Sequence, residues 1–86
     1  MTSTTSMAQF RRSLAVTVRE RRLARDWSQE DVAVAAGLTQ VAISNYERDV
    51  HEMRLGSLLA IASAFGVPPE TLIEEARTRA AGAGAS

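Results

Sequence analysis

Between Ser28 and Arg48 the chain reads SQEDVAVAAGLTQVAISNYER, and the punctuation of this stretch leaves little conformational freedom. Ser28 is suited to cap a helix N-terminus, and Asp31, three residues on, completes an approximate capping box. Gly37 ends that helix, because glycine takes a left-handed C-terminal conformation without a Cβ clash. Two residues later Thr39 caps a second helix, from Gln40 to about Arg48. The pattern predicts two short helices joined by a tight turn.

The remaining chain reads in the same terms. A first helix is expected from about Ala8 to Arg25, with Phe10, Leu14 and Val18 forming one apolar stripe at four-residue spacing. Asp26 and Trp27 break it, and Asp49 to Met53 reads as a loop. A fourth helix is expected from about Leu55 to Ala64, with Leu55, Leu58, Leu59, Ala62 and Phe65 facing inward and Gly66 ending it. Pro68 and Pro69 suit the first positions of a fifth helix, which continues through Leu72, Ile73 and Ala76 to about Arg79. No strand pattern and no internal repeat is visible. The expectation is an all-α fold, a compact five-helix bundle. Its domain would span 8–80, between a flexible N-terminal tail over 1–7 and a flexible, small-residue C-terminal tail over 81–86.

Composition narrows the function classes. A chain of 86 residues is read as one small domain, with no room for a separate effector-sensing unit and so no small-molecule ligand. The absence of cysteine excludes a disulfide framework and thiolate metal sites, and fits a reducing cytoplasm. No apolar run approaches the roughly 20 residues that a membrane span requires. The start, MTSTTSMAQF, lacks the pattern of a secretory signal. Glu74 and Glu75 are adjacent, so they point about 100° apart on a helix and cannot flank one substrate atom. His51 stands alone in a loop. There is no nucleophile–base spacing, no glycine-rich phosphate loop and no metal cluster, so neither catalysis nor a cofactor is expected. The formal net charge is zero, yet Arg11, Arg12, Arg19, Arg21, Arg22 and Arg25 crowd the first helix. That run reads either as one pole of a polarised protein or as a plain solvated helix surface.

On a helical wheel the third helix divides. Gln40, Val41, Ser44, Asn45 and Arg48 fall in one arc of roughly 140°, whereas Ile43 and Tyr46 lie opposite and would anchor the helix to a core. Gln and Asn can pair in bidentate fashion with adenine, Val41 can touch a thymine methyl, and Ser44 can bond several bases. Gln40, Val41, Ser44 and Asn45 are therefore candidate base readers. Gln29 at the start of the second helix and Thr39 at the cap are candidates for phosphate contact, as are Arg48 and Arg54.

The segment from Val18 to Val67 resembles the helix-turn-helix family of lambdoid phage repressors and Cro proteins, often called the XRE family. The matching features are the SQED start of helix two, the Ala33-to-Gly37 turn region, the Thr-Gln start of helix three, Ile43, the Tyr-Glu-Arg end and the LLAIASAFGVPPE tail. The resemblance implies that Gln29, Thr39, Gln40, Val41, Ser44 and Asn45 face DNA, and that Arg54 follows a loop near the backbone. It also implies a partly buried salt bridge between Arg22 and Glu47, fixing helix one against the reading helix. Two positions depart from the family pattern: Asp49 stands where glycine is usual, and Met53 where proline is frequent.

The combined expectation is a cytoplasmic, nucleoid-associated, repressor-like transcriptional regulator, bound as a homodimer to a palindromic double-stranded DNA operator. The controller proteins of restriction-modification systems, Cro-like proteins and antitoxins are the candidate subclasses. The alternative is a helix-turn-helix module that binds protein, as in coactivators or antitoxins. Leu72, Ile73 and Ala76 read either as core or as a dimer patch.

Overall fold

The computed structural model describes residues 6–84 and shows five helices in chain order: α1 (Met7–Ala24), α2 (Gln29–Ala36), α3 (Gln40–Glu47), α4 (Leu55–Phe65) and α5 (Pro69–Gly84). The α1 helix begins earlier than its apolar stripe suggests, because Ser6 forms a capping box. The Ser6 hydroxyl accepts from the Gln9 amide at 3.0 Å, and the Ser6 amide donates to the Gln9 side chain at 3.2 Å. At the other end α5 continues past the expected end near Arg79 to Gly84. Ala80 is buried in the fold, and Ala81 follows it with the highest intrinsic helix propensity. Residues 1–5 and 85–86 of the expected tails lie outside the described residues.

Four of the helices end in the same way. Asp26, Gly37, Asp49 and Gly66 all have positive φ, at 55°, 70°, 56° and 73°. The amide of the next residue then reaches back to a carbonyl five positions earlier: Trp27 to Arg22, Leu38 to Ala33, Val50 to Asn45 and Val67 to Ala62, at 2.9–3.1 Å. This is the Schellman arrangement, in which a left-handed residue lets the chain turn sharply and satisfies carbonyls that the helix leaves free. Trp27, Leu38 and Val67 then pack against the core, so three of these four exits also aim an apolar side chain inward, while Val50 stays half-exposed. Asp49 fills the place where the family usually has glycine, in the conformation that glycine would supply.

The core is built from all five helices. Val18, Val32, Ile43, Ile61 and Leu72 are fully buried, with Leu14, Leu58, Ala62, Phe65 and Ala76 around them. Leu14 and Val18 occupy the expected α1 stripe, with Phe10 packed at its edge. Two expectations for α4 are corrected. Leu55 is 69% exposed and Leu59 46% exposed. Leu59 lies about 100° round the helix from Leu58, and Leu55 sits in the first turn, before the helix has entered the core. Ile61 takes the inward place instead. The α5 helix lies along α1, and Leu72 and Ala76 fill the contact. These two residues therefore do not form a dimer patch, because their side chains have no surface left to offer. Ile73 is partly buried against the same core.

Candidate nucleic-acid interface

The α3 helix is held from three directions. Ile43 is fully buried beneath it. The Tyr46 hydroxyl shares a 2.9 Å hydrogen bond with Ser57 Oγ on α4. At the end of α3, Glu47 receives a two-pronged contact from Arg22 on α1: Arg22 Nε to Oε2 at 2.7 Å and Nη2 to Oε1 at 3.0 Å. A third nitrogen of Arg22 donates to the Trp27 carbonyl at 2.8 Å. The Arg22 side chain is 12% exposed and that of Glu47 only 3%. Hydrogen bonding to Glu47 raises the Arg22 pKa above the ordinary arginine value, against the opposing effect of burial. The N-terminus of α3 is closed by Thr39, whose hydroxyl accepts from the Ala42 amide at 3.1 Å.

With the helix so fixed, Gln40, Val41 and Arg48 stand exposed, and Ser44 and Asn45 are half-buried along the same edge. Val41 is 67% exposed, a large apolar side chain left mostly open to solvent. Arg48 donates to Asn45 Oδ1 at 3.3 Å. The two candidate glutamines are brought together: Gln29 Nε2 donates to Glu47 Oε1 at 3.2 Å, and Gln40 Nε2 donates to Gln29 Oε1 at 3.2 Å. The direction of this relay follows from charge. The Glu47 carboxylate only accepts, so Gln29 turns its NH2 toward it and its carbonyl toward Gln40, which must then donate. Gln40 is left with one N–H and its carbonyl oxygen, the donor–acceptor pair that complements the N7 and N6 positions of adenine. Gln29 is left with one N–H for an outside acceptor.

On the other flank of α3, Thr39, Val41, Asn45, His51, Glu52 and Arg54 line an open cleft of about 510 Å³. Arg54 occupies the N-cap position of α4 and makes no side-chain cap. The loop between α3 and α4 is tied back by Asp49, whose Oδ1 accepts from Arg11 Nε at 3.1 Å. The charge that departs from the family pattern is thus neutralised from α1.

The arginine run on α1 resolves into individual tasks. Arg11 pairs with Asp49, Arg22 with Glu47, and Arg21 with Glu75 on α5 at 2.5 and 3.0 Å. Arg25 donates to the Phe65 carbonyl and lies over the Phe65 and Trp27 rings, 5.0 and 5.8 Å from their centroids. The hydrogen bonds from Arg21 hold the Glu75 carboxyl below the usual carboxylate range. Sequence reasoning assigned none of these contacts except that of Arg22. Arg12 and Arg19 remain exposed. Among the described residues no group of acidic or histidine side chains is arranged to hold a metal ion, and no single helix is long and apolar enough to cross a membrane.

A capped helix laid across the start of a second, whose outer edge carries amides and a free valine, is the plan of a helix-turn-helix protein. A model of the helix-turn-helix family matches residues 18–72, and the chain belongs to that family, in its XRE-type branch. It is 31% identical over 61 residues to uncharacterised HTH-type transcriptional regulators of Mycobacterium bovis and Mycobacterium tuberculosis, a match covering 71% of this chain and 24% of each relative. The chain therefore spans about a quarter of the length of those relatives. Among solved structures it is similar to the restriction-modification controller protein C.AhdI from Aeromonas hydrophila, with a TM-score of 0.71 and 29% identity over 76% of this chain and 97% of that one. It is also similar to a hypothetical transcription factor from Neisseria, with a TM-score of 0.72 and 29% identity over 85% and 84% of the two chains. A mutant of the controller protein C.Esp1396I matches with a TM-score of 0.73 and 25% identity over 78% and 87%.

Proposed function

We propose that this chain is a sequence-specific DNA-binding transcriptional regulator that lays α3 in the major groove and acts as a homodimer on a palindromic operator. The observation that carries the reading is the exposed edge of α3: Gln40, Val41, Ser44 and Asn45 face outward from a helix immobilised by Ile43, Tyr46 and Glu47. Gln40 and Asn45 are assigned to base edges, Val41 to a thymine methyl, and Ser44 to a neighbouring base. Gln29, Thr39, Arg48 and Arg54 are assigned to the backbone. The Thr39 hydroxyl already accepts from Ala42, so it contributes as a donor.

The homodimer needs a surface other than Leu72 and Ala76. The best supported is the outer face of α4, where Leu55 and Leu59 stand exposed in a stretch without one charged residue from Leu55 to Pro69. A two-fold interface packs the same patch of both subunits against itself, so a charge-free face carries no like-charge repulsion. Half-sites would lie about 34 to 36 Å apart, one helical turn. The similarity to restriction-modification controllers supports a regulator of that kind.

Selection of bound sites from random duplex DNA, with the mass of the complex measured by light scattering, tests this reading. A recovered palindrome and a mass of two chains per duplex are expected. Recovery of no motif would assign the α3 edge to a protein partner instead.

A further inference from the structure

Arg19 has no internal task. It is exposed, and among the described residues it makes no ion pair or side-chain hydrogen bond. It lies one turn before Arg22, on the same face of α1. Across from it stands Arg48, at the C-cap of α3. Arg19, Arg22, Gln29, Glu47 and Arg48 together line a cleft of about 200 Å³. This cleft borders the α2 side of α3, opposite the flank occupied by the loop and Arg54.

The lining carries three guanidinium groups against one carboxylate, a formal charge of +2. That carboxylate is not available to the two outer arginines, because Arg22 holds both oxygens of Glu47 and Gln29 donates to one of them. Arg19 and Arg48 therefore line one cleft with no ion pair to an acid among the described residues, and Gln29 keeps one N–H unused beside them. Two guanidinium groups and an amide donor lining one opening suit the non-bridging oxygens of a phosphate, with one Arg48 nitrogen already donating to Asn45 and the others left over. We propose that Arg19 and Arg48 jointly seat a single phosphodiester of the DNA backbone, with Gln29 as the third donor. The site rests on the DNA-binding reading above and extends its footprint to α1. It fixes the reading helix on the side away from Arg54, so that α3 is held between two backbone contacts.

The test is the salt dependence of binding to the selected operator and to an unrelated duplex, followed by fluorescence anisotropy. Wild type is compared with Arg19→Ala, Arg48→Ala, the double variant and Arg12→Ala, an exposed α1 arginine outside the cleft, all verified as folded by circular dichroism. Arg19→Ala should lose affinity several-fold on both duplexes, and Arg12→Ala should lose less. The double variant should flatten the slope of log K against log salt by about 0.9, the contribution of one phosphate. A fall of about 1.8 in the double variant would mean two separate phosphates and overturn the shared seat. So would an Arg19→Ala variant indistinguishable from Arg12→Ala. Absence of duplex binding by wild type at low salt would instead remove the DNA-binding reading itself.

Discussion

Truncating the Arg22–Glu47 pair is the sharpest test of how the reading helix is held, because the structure predicts an order as well as a size. Glu47→Ala removes the two hydrogen bonds from Arg22, at 2.7 and 3.0 Å, and the 3.2 Å bond from Gln29, and leaves Arg22 with the Trp27 carbonyl alone. Arg22→Ala removes the same two bonds and also the one to Trp27, leaving a carboxylate only 3% exposed with a single neutral donor from Gln29. Breaking a buried pair from one side costs about 3–5 kcal/mol. Arg22 retains some solvent at 12% exposure, so Glu47→Ala should fall at or below the lower end, about 2–3 kcal/mol. Arg22→Ala should cost more, about 3–4 kcal/mol. For a domain of this size 1 kcal/mol shifts Tm by about 4–8 °C, so both variants are readily measured by thermal and urea unfolding. Replacing the two together by Met and Leu should recover part of the loss, since neither charge is then left unpaired. Losses below about 1 kcal/mol for both single variants, the range of exposed surface pairs, would refute the reasoning. So would Glu47→Ala being the more damaging of the two.

Three further outcomes are expected. Gln40→Ala should cost about 1–3 kcal/mol on the preferred operator and relax base preference at one position; an equal loss on every duplex would show that Gln40 reads no base. Gly37→Ala should destabilise by about 1–2 kcal/mol, because Gly37 has φ 70° while a Cβ there meets nothing within 4 Å. Unfolding midpoints would show this, and a variant as stable as wild type would contradict it. The third outcome concerns Arg21 and Glu75. The folded pKa of Glu75 is lowered by its bonds to Arg21, so the stability this pair contributes is present above the unfolded carboxylate pKa of about 4.3 and is lost as pH falls through the lower folded value. The difference in urea midpoint between wild type and Glu75→Gln should therefore shrink toward zero on acidification. With Glu75 more than a third exposed, the full effect should stay below about 1 kcal/mol; a difference that grows at low pH would reverse the assignment.

Much of this protein was legible along the chain, because the forces involved are local. Caps, stops and wheel faces depend on residues within about four positions of one another. Ser28, Gly37, Thr39 and Gly66 marked the boundaries that the fold shows. The same periodicity separated Ile43 from the outward edge of α3. The readings that failed concerned which apolar residues the core would cover. Leu55 and Leu59 belong to an apolar run that looks inward-facing throughout, yet only the placement of α2 and α5 decides which side of α4 is covered. Leu72 and Ala76 could have served an outer surface until α5 was seen to lie against α1.

Charge was the least legible of all. Six arginines in and just after the first helix read equally as one basic pole or as a solvated surface, and in the fold four of them are tied to partners far along the chain: Arg11 to Asp49, Arg21 to Glu75, Arg22 to Glu47 and Arg25 to the Phe65 carbonyl. Such pairs depend on the packing of whole helices, and nothing in local spacing distinguishes an arginine that will find a carboxylate 54 positions away from one that will not. Local propensity and periodicity set out the helices, their ends and the polar edge of α3. Tertiary packing alone decided that Glu47 would orient Gln29 and Gln40, and that Arg19 would be left facing Arg48 across an open cleft, because distance in space rather than in sequence governs electrostatic pairing.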